Sequence, residues 1–352
     1  MTGAPSTSPK IDQAMLMAAG LGTRLKPFTD FLPKPILPLM GVPMAQFGLD
    51  LLSRAGVRKI VANIHHLPAR ARAGLEGLDR GGAELLISDE SERLLGSAGG
   101  IQKALSHFEG RPFFLLNSDI ICETDLELLE TRHLELKRKH GVIMTLTVFE
   151  RGPVGGKYSE ILMDAARERM MALGKVSEGK PYFVGVAVLE PEALAQVPLQ
   201  GPAEFVPTIL LPAIAAGKVG IYCAAGEWQD VGSPELWLRA HLALIQGLEQ
   251  GSLPDVWRNR IEASQGRVAP GVWVARSRMM RLDGRQWRAP LYWNETSVGM
   301  EKSREVYAPM DFGAGSVLYG SVPESGPALE WGIGFNGVWS ACPAVRSSFG
   351  PV

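Results

Sequence analysis

A loop that could bind phosphate groups follows the first apolar segment of the sequence, within MAAGLGTRLKPFTDFLPKPILPL from Met17 to Leu39. Gly20, Gly22 and Thr23 offer backbone N–H groups and a hydroxyl that phosphate oxygens can approach closely. Arg24 carries a planar guanidinium that can hold two phosphate oxygens at once. These residue types in this order predict a binding loop for a triphosphate.

A second cationic residue of the same stretch, Lys34, has a restricted backbone. Lys34 lies between Pro33 and Pro35, which restrict its dihedral angles, so the ammonium group can be aimed with little loss of entropy on binding. Two other phosphate-binding motifs are excluded by the residues present. The dinucleotide pattern G-x-G-x-x-G has Leu25 at its third glycine, and no G-K-[ST] sequence completes a P-loop.

One aspartate in the sequence occupies a position that suits ligand binding, and a second lies in a later apolar segment. Asp119 closes the apolar run FFLLNSD, and Asp230 lies in WQDVG much later in the chain. Carboxylates at the carboxyl edge of a parallel sheet lie where ligands bind in open α/β folds. No triad that would indicate a protein nucleophile is visible in the sequence.

The elements that must position these residues alternate between strands and helices. This alternation predicts a parallel sheet covered by helices. The predicted strands are QAMLMA (13–18), KIVANI (59–64), AELLIS (83–88), PFFLLN (112–117) and VIMTLTVF (142–149), and the predicted helices are MAQFGLDLLSRAG (44–56), PARARAGLEGL (68–78), AGGIQKALSHF (98–108) and DLELLETRHLELKRK (125–139).

Beyond about Gly152 strands of mixed direction are predicted, followed by a helix from Pro234 to Gln250 with Ser233 as its N-cap. After Gly251 helical periodicity is lost, and GVWVARS, APLYWNETS, REVYAPM and GSVLYGSV indicate short strands. We therefore predict a disordered lead-in over 1–12, a main domain over 13–250 and a smaller all-β domain over 251–352. A degenerate left-handed β-helix is one arrangement for the last.

Composition excludes several classes of protein. The formal net charge of −1 indicates no basic surface for nucleic acid. No apolar run is long enough to predict a membrane span, and the polar start does not resemble a secretory signal. The 3 cysteines are widely spaced and match no zinc motif, which favours a reducing, cytoplasmic location.

Five ordered motifs resemble those of the sugar-1-phosphate nucleotidylyltransferases. The stretch from Met17 to Leu39 is similar to the signature L-A-A-G-x-G-T-R-[LM]-x-P-x-T-x-x-x-P-K-P-[LMI]-x-P-[VIL], with methionine in place of the first leucine. The others are LLGSAGGI (94–101), FLLNSDI (114–120), YFVGVAVL (182–189) and WQDVGSPE (228–235). The resemblance covers about residues 13 to 250 and implies a Rossmann-like mixed sheet with helices on both faces, of the nucleotide-diphospho-sugar transferase type.

The reaction implied by this resemblance is attack of a sugar 1-phosphate oxygen on the α-phosphorus of an NTP. It yields an NDP-sugar, a precursor of cell-envelope or other polysaccharide, and pyrophosphate. The resemblance implies catalytic roles for Arg24, Lys34 and Asp119, and a Mg²⁺ ion held by Asp119 and Asp230. The nucleotide-binding candidates are Ala18, Ala19, Gly20, Gly22, Thr23, Arg24, Glu90, Gly96, Gly99 and Asn117, with Lys26 expected in solvent.

The sugar contacts implied are Ser159, Lys175 and Gly185. Family members often carry Y-G-x-[VI] followed by E-K-P, but this sequence has Ser159 in place of the glycine and Gly174 in place of the glutamate before Lys175. The identity of the sugar is therefore open.

The base is also open, although the motifs resemble those of mannose-1-phosphate guanylyltransferases and N-acetylmuramate-1-phosphate uridylyltransferases, which favours GTP or UTP. A non-catalytic subunit of the same fold and a nucleotide-binding sensor are the alternatives. A homo-oligomer is compatible with the sequence, with the β-rich tail as one place for subunit contacts.

Overall fold

The computed structural model describes residues 10–151, 158–177, 181–195, 197–198, 201–226 and 228–269, and the backbone of five later strands. The described residues belong to two compact units. The first unit draws on Met1–Gly20, Gly48–Gly152 and Lys157–Trp228, and the second on Leu21–Phe47, Pro153–Gly156 and Gln229–Val352. Residues 1–9 of the predicted lead-in and the segment REVYAPM lie outside the described residues.

The strands are β1 (Gln13–Met17), β2 (Pro38–Leu39), β3 (Val42–Pro43), β4 (Lys59–Ile64), β5 (Glu84–Asp89), β6 (Phe113–Asn117), β7 (Ile120–Cys122), β8 (Met144–Phe149), β9 (Tyr158–Met163), β10 (Met170–Ser177), β11 (Tyr182–Leu189), β12 (Val219–Ala224), β13 (Trp228–Asp230), β14 (Gln265–Ala269), β15 (Val272–Ala275), β16 (Leu291–Asn294), β17 (Ser316–Tyr319), β18 (Gly332–Phe335) and β19 (Val338–Ala341). The α-helices are α1 (Met44–Arg54), α2 (Pro68–Glu76), α3 (Gly96–Ala104), α4 (Leu126–His140), α5 (Leu211–Ala215), α6 (Pro234–Gln250) and α7 (Asp255–Ser264).

A seven-stranded sheet in the order β12-β8-β11-β6-β1-β4-β5 forms the first unit. Only β11 runs antiparallel to its neighbours in this sheet. The predicted mixed α/β sheet is therefore confirmed for this part of the chain. Met17 pairs with Asn117 in the parallel strands β1 and β6, so the segments that follow these strands begin at the same edge of the sheet.

The core of the first unit lies against this sheet. The first four residues of β6, Phe113 to Leu116, are apolar and buried, as in a strand covered on both faces. Ile101 of α3 is fully buried, and the rings of Phe108 and Phe113 stack with centroids 4.1 Å apart. This packing fixes α3 relative to the strands that lead into the candidate site.

Aromatic packing organises the second unit. Phe28, which follows the glycine-rich loop, meets Trp237 of α6 edge to face at 5.2 Å, and the Trp237 indole N–H donates to the carbonyl of Pro38 at 3.0 Å. Helix α6 has the predicted bounds, and the hydroxyl of Ser233 accepts a hydrogen bond from the N–H of Leu236 at 3.3 Å, as expected for an N-cap.

The region after α6 departs from the sequence-based prediction in one element. Helix α7 precedes the strands, and its Trp257 packs edge to face on Phe47 at 5.2 Å. The later strands form a six-stranded sheet in the order β14-β15-β16-β17-β18-β19, in which β15 to β18 pair in parallel. These strands include three of the predicted β segments, and the β-helix arrangement stays a prediction.

Within the part of the chain that the structure describes, no helix has both the length and the apolar character that crossing a bilayer requires.

Candidate functional site

The glycine-rich loop folds around Gly22. This residue has a left-handed φ of 62°, and a Cβ on it would lie 2.7 Å from the Cγ2 of Thr29, so both backbone and packing require glycine. The Gly22 carbonyl accepts hydrogen bonds from the N–H of Leu25 at 2.8 Å and from the Thr29 hydroxyl at 3.0 Å. Leu25 is buried while Arg24 is exposed, so the loop is anchored on one side and offers its cation on the other.

Lys34 lies against the same loop. Its Cβ would be 3.4 Å from a Cβ on Gly22. The flanking prolines are buried, and the N–H of Leu37 bonds to the Lys34 carbonyl at 3.1 Å, which fixes the backbone as predicted. Lys26 is exposed and pairs with Asp30 at 3.1 Å, in agreement with the expectation that it lies in solvent.

Arg24 and Asp230 come together beside Gly232. A Cβ on Gly232 would lie 2.7 Å from the Nη2 of Arg24 and 3.1 Å from the Oδ1 of Asp230. The Asp230 side chain is buried, with the residue only 8% exposed. The second unit therefore places a predicted phosphate clamp next to a predicted metal ligand, although about two hundred residues separate them in sequence, as expected for a site built from distant loops.

In the first unit, a buried hydrogen-bond chain joins the end of β1 to the segment before α3. The N–H of Ala18 donates to the Oδ1 of Asn63 at 2.8 Å, and the Asn63 amide donates to the Oε1 of Glu90 at 2.7 Å. The other Glu90 oxygen accepts from the N–H of Leu95 at 3.1 Å. Both carboxylate oxygens of Glu90, a predicted contact of the base, thus accept hydrogen bonds within the protein. The role of Asn63, which lies near the end of β4, was not predicted from the sequence.

The glycines of LLGSAGGI leave space for the hydrogen bonds of Glu90 and for the backbone of residues 201–205. A Cβ on Gly100 would lie 2.6 Å from the Oε1 of Glu90, and one on Gly96, where φ is 70°, would lie 2.7 Å from the carbonyl oxygen of Ala203. The N–H of Gly99 donates to that same carbonyl at 3.1 Å. The first turn of α3 is therefore held by backbone from residues 201–205.

A carboxylate also caps this turn. The hydroxyl of Ser97 donates to the Oε2 of Glu204 at 2.6 Å and accepts from the N–H of Phe205 at 2.7 Å. A negative charge near the N-terminus of a helix is favourable because of the unpaired N–H groups and the helix dipole. Glu204 lies outside the five motifs in the sequence, so its place here was not predicted.

Asn117 and Gly185, predicted to lie near the ribose and the sugar, are in contact in the first unit. Gly185 has a φ of 75°, and a Cβ on it would lie 2.7 Å from the Cγ of Asn117. The register between β11 and β8 shifts across this glycine, which marks a β-bulge. Gly185 is therefore required both by its backbone conformation and by the side chain that covers it.

The turn that holds Asp119 is tied to β1. The hydroxyl and the N–H of Ser118 both donate to the carbonyl of Met17, at 2.7 and 3.2 Å. Asp119 itself is half-buried in this turn. Burial raises the pKa of the nearby Cys122 thiol to about 12, so this group stays protonated near neutral pH and is a poor nucleophile.

Ser159 and Lys175 lie on neighbouring strands of the β9–β10 hairpin, and both are exposed. They are therefore close in the fold, although a turn and most of two strands separate them in sequence.

The described residues contain no cluster of three or more histidine, cysteine, aspartate or glutamate side chains arranged for a metal ion. Nucleotidyltransferases generally use a divalent metal. Magnesium takes oxygen ligands and keeps several waters, so a pair of carboxylates completed by phosphate oxygens is a suitable donor set.

Comparison with known proteins identifies a nucleotidyl transferase domain in the N-terminal part of the chain. Residues 13–153 match the family model described as nucleotidyl transferase. The chain is 26% identical over 298 residues to UTP–glucose-1-phosphate uridylyltransferase of Synechocystis, an alignment that covers 80% of this chain and 73% of that protein. It is 30% identical over 237 residues to mannose-1-phosphate guanyltransferase of Aspergillus fumigatus, covering 64% of this chain and 62% of that protein.

Solved structures agree on the fold. HddC from Yersinia pseudotuberculosis superposes with a TM-score of 0.55 at 20% identity, covering 66% of this chain and all (100%) of that one. An apo UDP-glucose pyrophosphorylase superposes with a TM-score of 0.52 at 16% identity, covering 67% of this chain and 98% of that one. The Rossmann-like fold implied by the sequence motifs is thereby confirmed.

Proposed function

We propose, since this chain belongs to the sugar-1-phosphate nucleotidylyltransferase family, that it transfers a nucleotidyl group from UTP or GTP to a sugar 1-phosphate and releases pyrophosphate. The observation that carries the proposal is the position of Arg24 beside Asp230 and of Lys34 against Gly22. This pairing of cations with a carboxylate at a glycine-rich loop suits the neutralisation and alignment of a triphosphate.

Two anions must meet in this reaction, so the protein has to offset their repulsion. Arg24 would hold the departing phosphates through its planar guanidinium, and the stiff backbone at Lys34 would aim an ammonium at the α-phosphate and the sugar phosphate. Neither residue needs to form a covalent bond, because the sugar phosphate oxygen is the nucleophile. These two cations would therefore act by orientation and by charge.

Asp119 and Asp230 are the residues that we propose as ligands of Mg²⁺. Both offer carboxylate oxygens, the donor type that this ion prefers. When bound, the ion would neutralise negative charge on the phosphates. The half-buried and buried positions of the two side chains fit a role toward a ligand rather than toward bulk solvent.

Ser159, Lys175 and the backbone at Gly185 are the proposed sugar contacts, and Asn117, which covers Gly185, is proposed to lie near the ribose. Glu90 and the glycines of α3 are proposed to shape the base site mainly through the backbone they hold in place. A cytoplasmic location, suggested by the widely spaced cysteines, fits a supply of NTP substrates.

The direct test measures pyrophosphate release with four NTPs against a panel of sugar 1-phosphates. We expect turnover with UTP or GTP and loss of at least nine tenths of kcat in Asp119→Asn and in Asp230→Asn at saturating Mg²⁺. Asp255→Asn, an exposed aspartate on α7, is the matched control and should keep full activity.

Nucleotide binding without pyrophosphate release from any pair would instead favour one of the two alternatives, the non-catalytic subunit or the sensor. The named relatives give neither alternative support.

A further inference from the structure

Helix α3 carries predicted base contacts on a first turn that has little stability of its own. The helix is 9 residues long, begins at Gly96 and has Gly99 and Gly100 inside it. Glycine inside a helix costs about 0.5–1 kcal/mol relative to alanine, and helices this short are marginal by themselves. The N-cap residue is Leu95, and its side chain makes no capping hydrogen bond. The first turn therefore depends on support from outside the helix.

Residues 203–205 supply the backbone part of this support. The carbonyl of Ala203 accepts hydrogen bonds from the N–H of Ala98 at 2.8 Å and from the N–H of Gly99 at 3.1 Å. In the opposite direction, the N–H of Ala203 donates to the carbonyl of Leu95 at 2.8 Å. A distant segment thus satisfies N–H groups that the start of a helix leaves unpaired, in place of a local cap.

Glu204 supplies the side-chain part. Its Oε2 accepts a hydrogen bond from the hydroxyl of Ser97 at 2.6 Å and a longer one from the Ser97 N–H at 3.5 Å. The same hydroxyl accepts from the N–H of Phe205 at 2.7 Å, so Ser97 is held from two sides. The other oxygen, Oε1, would lie 2.7 Å from a Cβ on Gly96. The carboxylate therefore lies against the first residue of α3, and glycine there leaves room for it.

The core of the first unit fixes the position of Glu204. Phe205 directly follows it and is only 8% exposed. The ring of Phe205 stacks on that of Phe183, with centroids 6.3 Å apart, and Phe183 belongs to strand β11 of the seven-stranded sheet. The sheet therefore holds Phe205, and the adjacent Glu204 can hold Ser97 in place rather than move with it.

We propose that Glu204 is a positioning residue of the nucleotide site. Acting through Ser97, its carboxylate fixes the first turn of α3, whose backbone is proposed to contact the base of the NTP. This inference rests on the proposed function. Backbone groups cannot be aimed by a change of rotamer, so their placement depends on the residues that support the turn. A displacement of about 1 Å in a binding site can cost about a hundredfold in rate. In this role Glu204 does not itself touch the nucleotide.

The experiment measures the Kd of UTP and of GTP, each with Mg²⁺, by isothermal titration of the 352-residue chain. The variants are Glu204→Ala, Glu204→Gln, Ser97→Ala and the double variant Ser97→Ala/Glu204→Ala. Glu192→Ala removes an exposed glutamate from the same connection between β11 and α5, and this control should match the wild type.

For the nucleotide that the wild type binds, Glu204→Ala and Ser97→Ala should each raise the Kd at least about tenfold, because the turn loses its side-chain support. Loss of a negative charge alone would instead lower the Kd of a polyanionic nucleotide. Glu204→Gln keeps an oxygen that can accept from the Ser97 hydroxyl, so its Kd should stay within about threefold of the wild-type value.

The double variant distinguishes positioning from direct contact. If Glu204 acts through Ser97, the double variant should have a Kd less than about threefold above that of Ser97→Ala. In the pyrophosphate assay, the KM for the NTP should rise in Glu204→Ala while the KM for the sugar 1-phosphate stays at its wild-type value. A general loss of fold would not produce this difference between the two substrates.

An unchanged or lowered Kd in Glu204→Ala would overturn the inference, and so would equal rises in the KM for both substrates. A Glu204→Gln variant that binds as weakly as Glu204→Ala would overturn it too, because the hydrogen bond would then not be the cause. A further loss of about tenfold in the double variant would indicate that Glu204 touches the nucleotide directly, which contradicts the positioning role.

The failure of the proposed function would look different. Wild-type protein that binds UTP or GTP but releases pyrophosphate with no sugar 1-phosphate would contradict the proposed function alone, and the Kd values would still decide the role of Glu204. Wild-type protein that binds neither nucleotide would overturn both proposals.

Discussion

The Asn63 amide donates a 2.7 Å hydrogen bond to the Glu90 carboxylate at a place where the two residues are only 1% and 2% exposed. Asn63 also accepts from the N–H of Ala18, and Glu90 also accepts from the N–H of Leu95. One buried pair of side chains thus fixes the backbone at both segments proposed to surround the nucleotide base.

The hydrogen bond between Asn63 and Glu90 can be tested by removal of the Asn63 amide. Asn63→Ala should lower the free energy of unfolding by about 1–3 kcal/mol, because the buried Glu90 carboxylate and the N–H of Ala18 each lose a partner. Since the affected backbone is proposed to face the base, the KM for the NTP should rise more than the KM for the sugar 1-phosphate. Urea unfolding and steady-state kinetics measure the two effects. Glu84→Ala, an exposed position on β5, should leave both quantities at wild-type values.

Arg24 depends on the empty space at Gly232. Gly232→Ala should displace the guanidinium, since the new Cβ would lie 2.7 Å from its Nη2. Arg24→Lys keeps the charge but loses the planar fork, and should cost about 1–3 kcal/mol in kcat/KM. The kinetic constants of both variants are compared with those of Gly77→Ala, where the nearest atom would be 3.4 Å away. Wild-type values in Arg24→Lys would remove Arg24 from the proposed machinery.

Alanine substitutions at Gly185 and Gly110 distinguish backbone strain from a clash with a side chain. Gly185→Ala should be destabilised both by its φ of 75° and by the clash with Asn117, whereas Gly110→Ala, with a φ of 69° and open space around it, carries the strain alone. We expect Gly185→Ala to unfold at lower urea than Gly110→Ala and to lose activity. Equal urea midpoints for the two variants would show that the Asn117 side chain can move away without a loss of stability.

The stability of the protein should depend on pH through His241. Burial lowers the pKa of this imidazole to about 3. The unfolded chain takes up the proton below about pH 6.5, while the folded protein does not until about pH 3, so stability present above pH 6.5 is lost as the pH falls through this window.

The test measures the free energy of unfolding at about pH 7.5 and about pH 5 in the wild type and in His241→Gln. Other groups titrate in both proteins, so their effects cancel in the difference. The wild type should lose stability more steeply, by up to about 1.4 kcal/mol per pH unit for one proton. Parallel slopes would mean that His241 does not contribute.

The boundary of the β-rich region is testable by truncation. A chain that ends after Ser264 keeps helix α7, whose Trp257 covers Phe47, whereas one that ends after Gln250 exposes that ring. We expect the longer form to bind UTP or GTP with Mg²⁺ in isothermal titration, and the shorter form to aggregate on size-exclusion chromatography. A longer form that is folded but binds no nucleotide would place part of the site in the tail.

The sequence by itself determined the elements whose residues carry their own signals. KIVANI forms a strand with the predicted bounds, because its β-branched residues pack well on a pleated, buried surface. Helix α6 begins and ends as predicted, because Ser233 and Gly251 supply local caps. The glycine-rich loop is similarly local, since its φ values and its link to Thr29 involve residues close in sequence.

Tertiary structure alone decided which distant side chains meet. Asn63 and Glu90 are 27 residues apart, and Ser97 and Glu204 are 107 apart. No local sequence pattern therefore predicts either hydrogen bond. In the sequence, Glu160 is an ordinary residue of a predicted strand, and Gly174 stands where the E-K-P element has glutamate. The bulge in the β9–β10 register brings them together, and register depends on how strands pack rather than on the propensity of either residue.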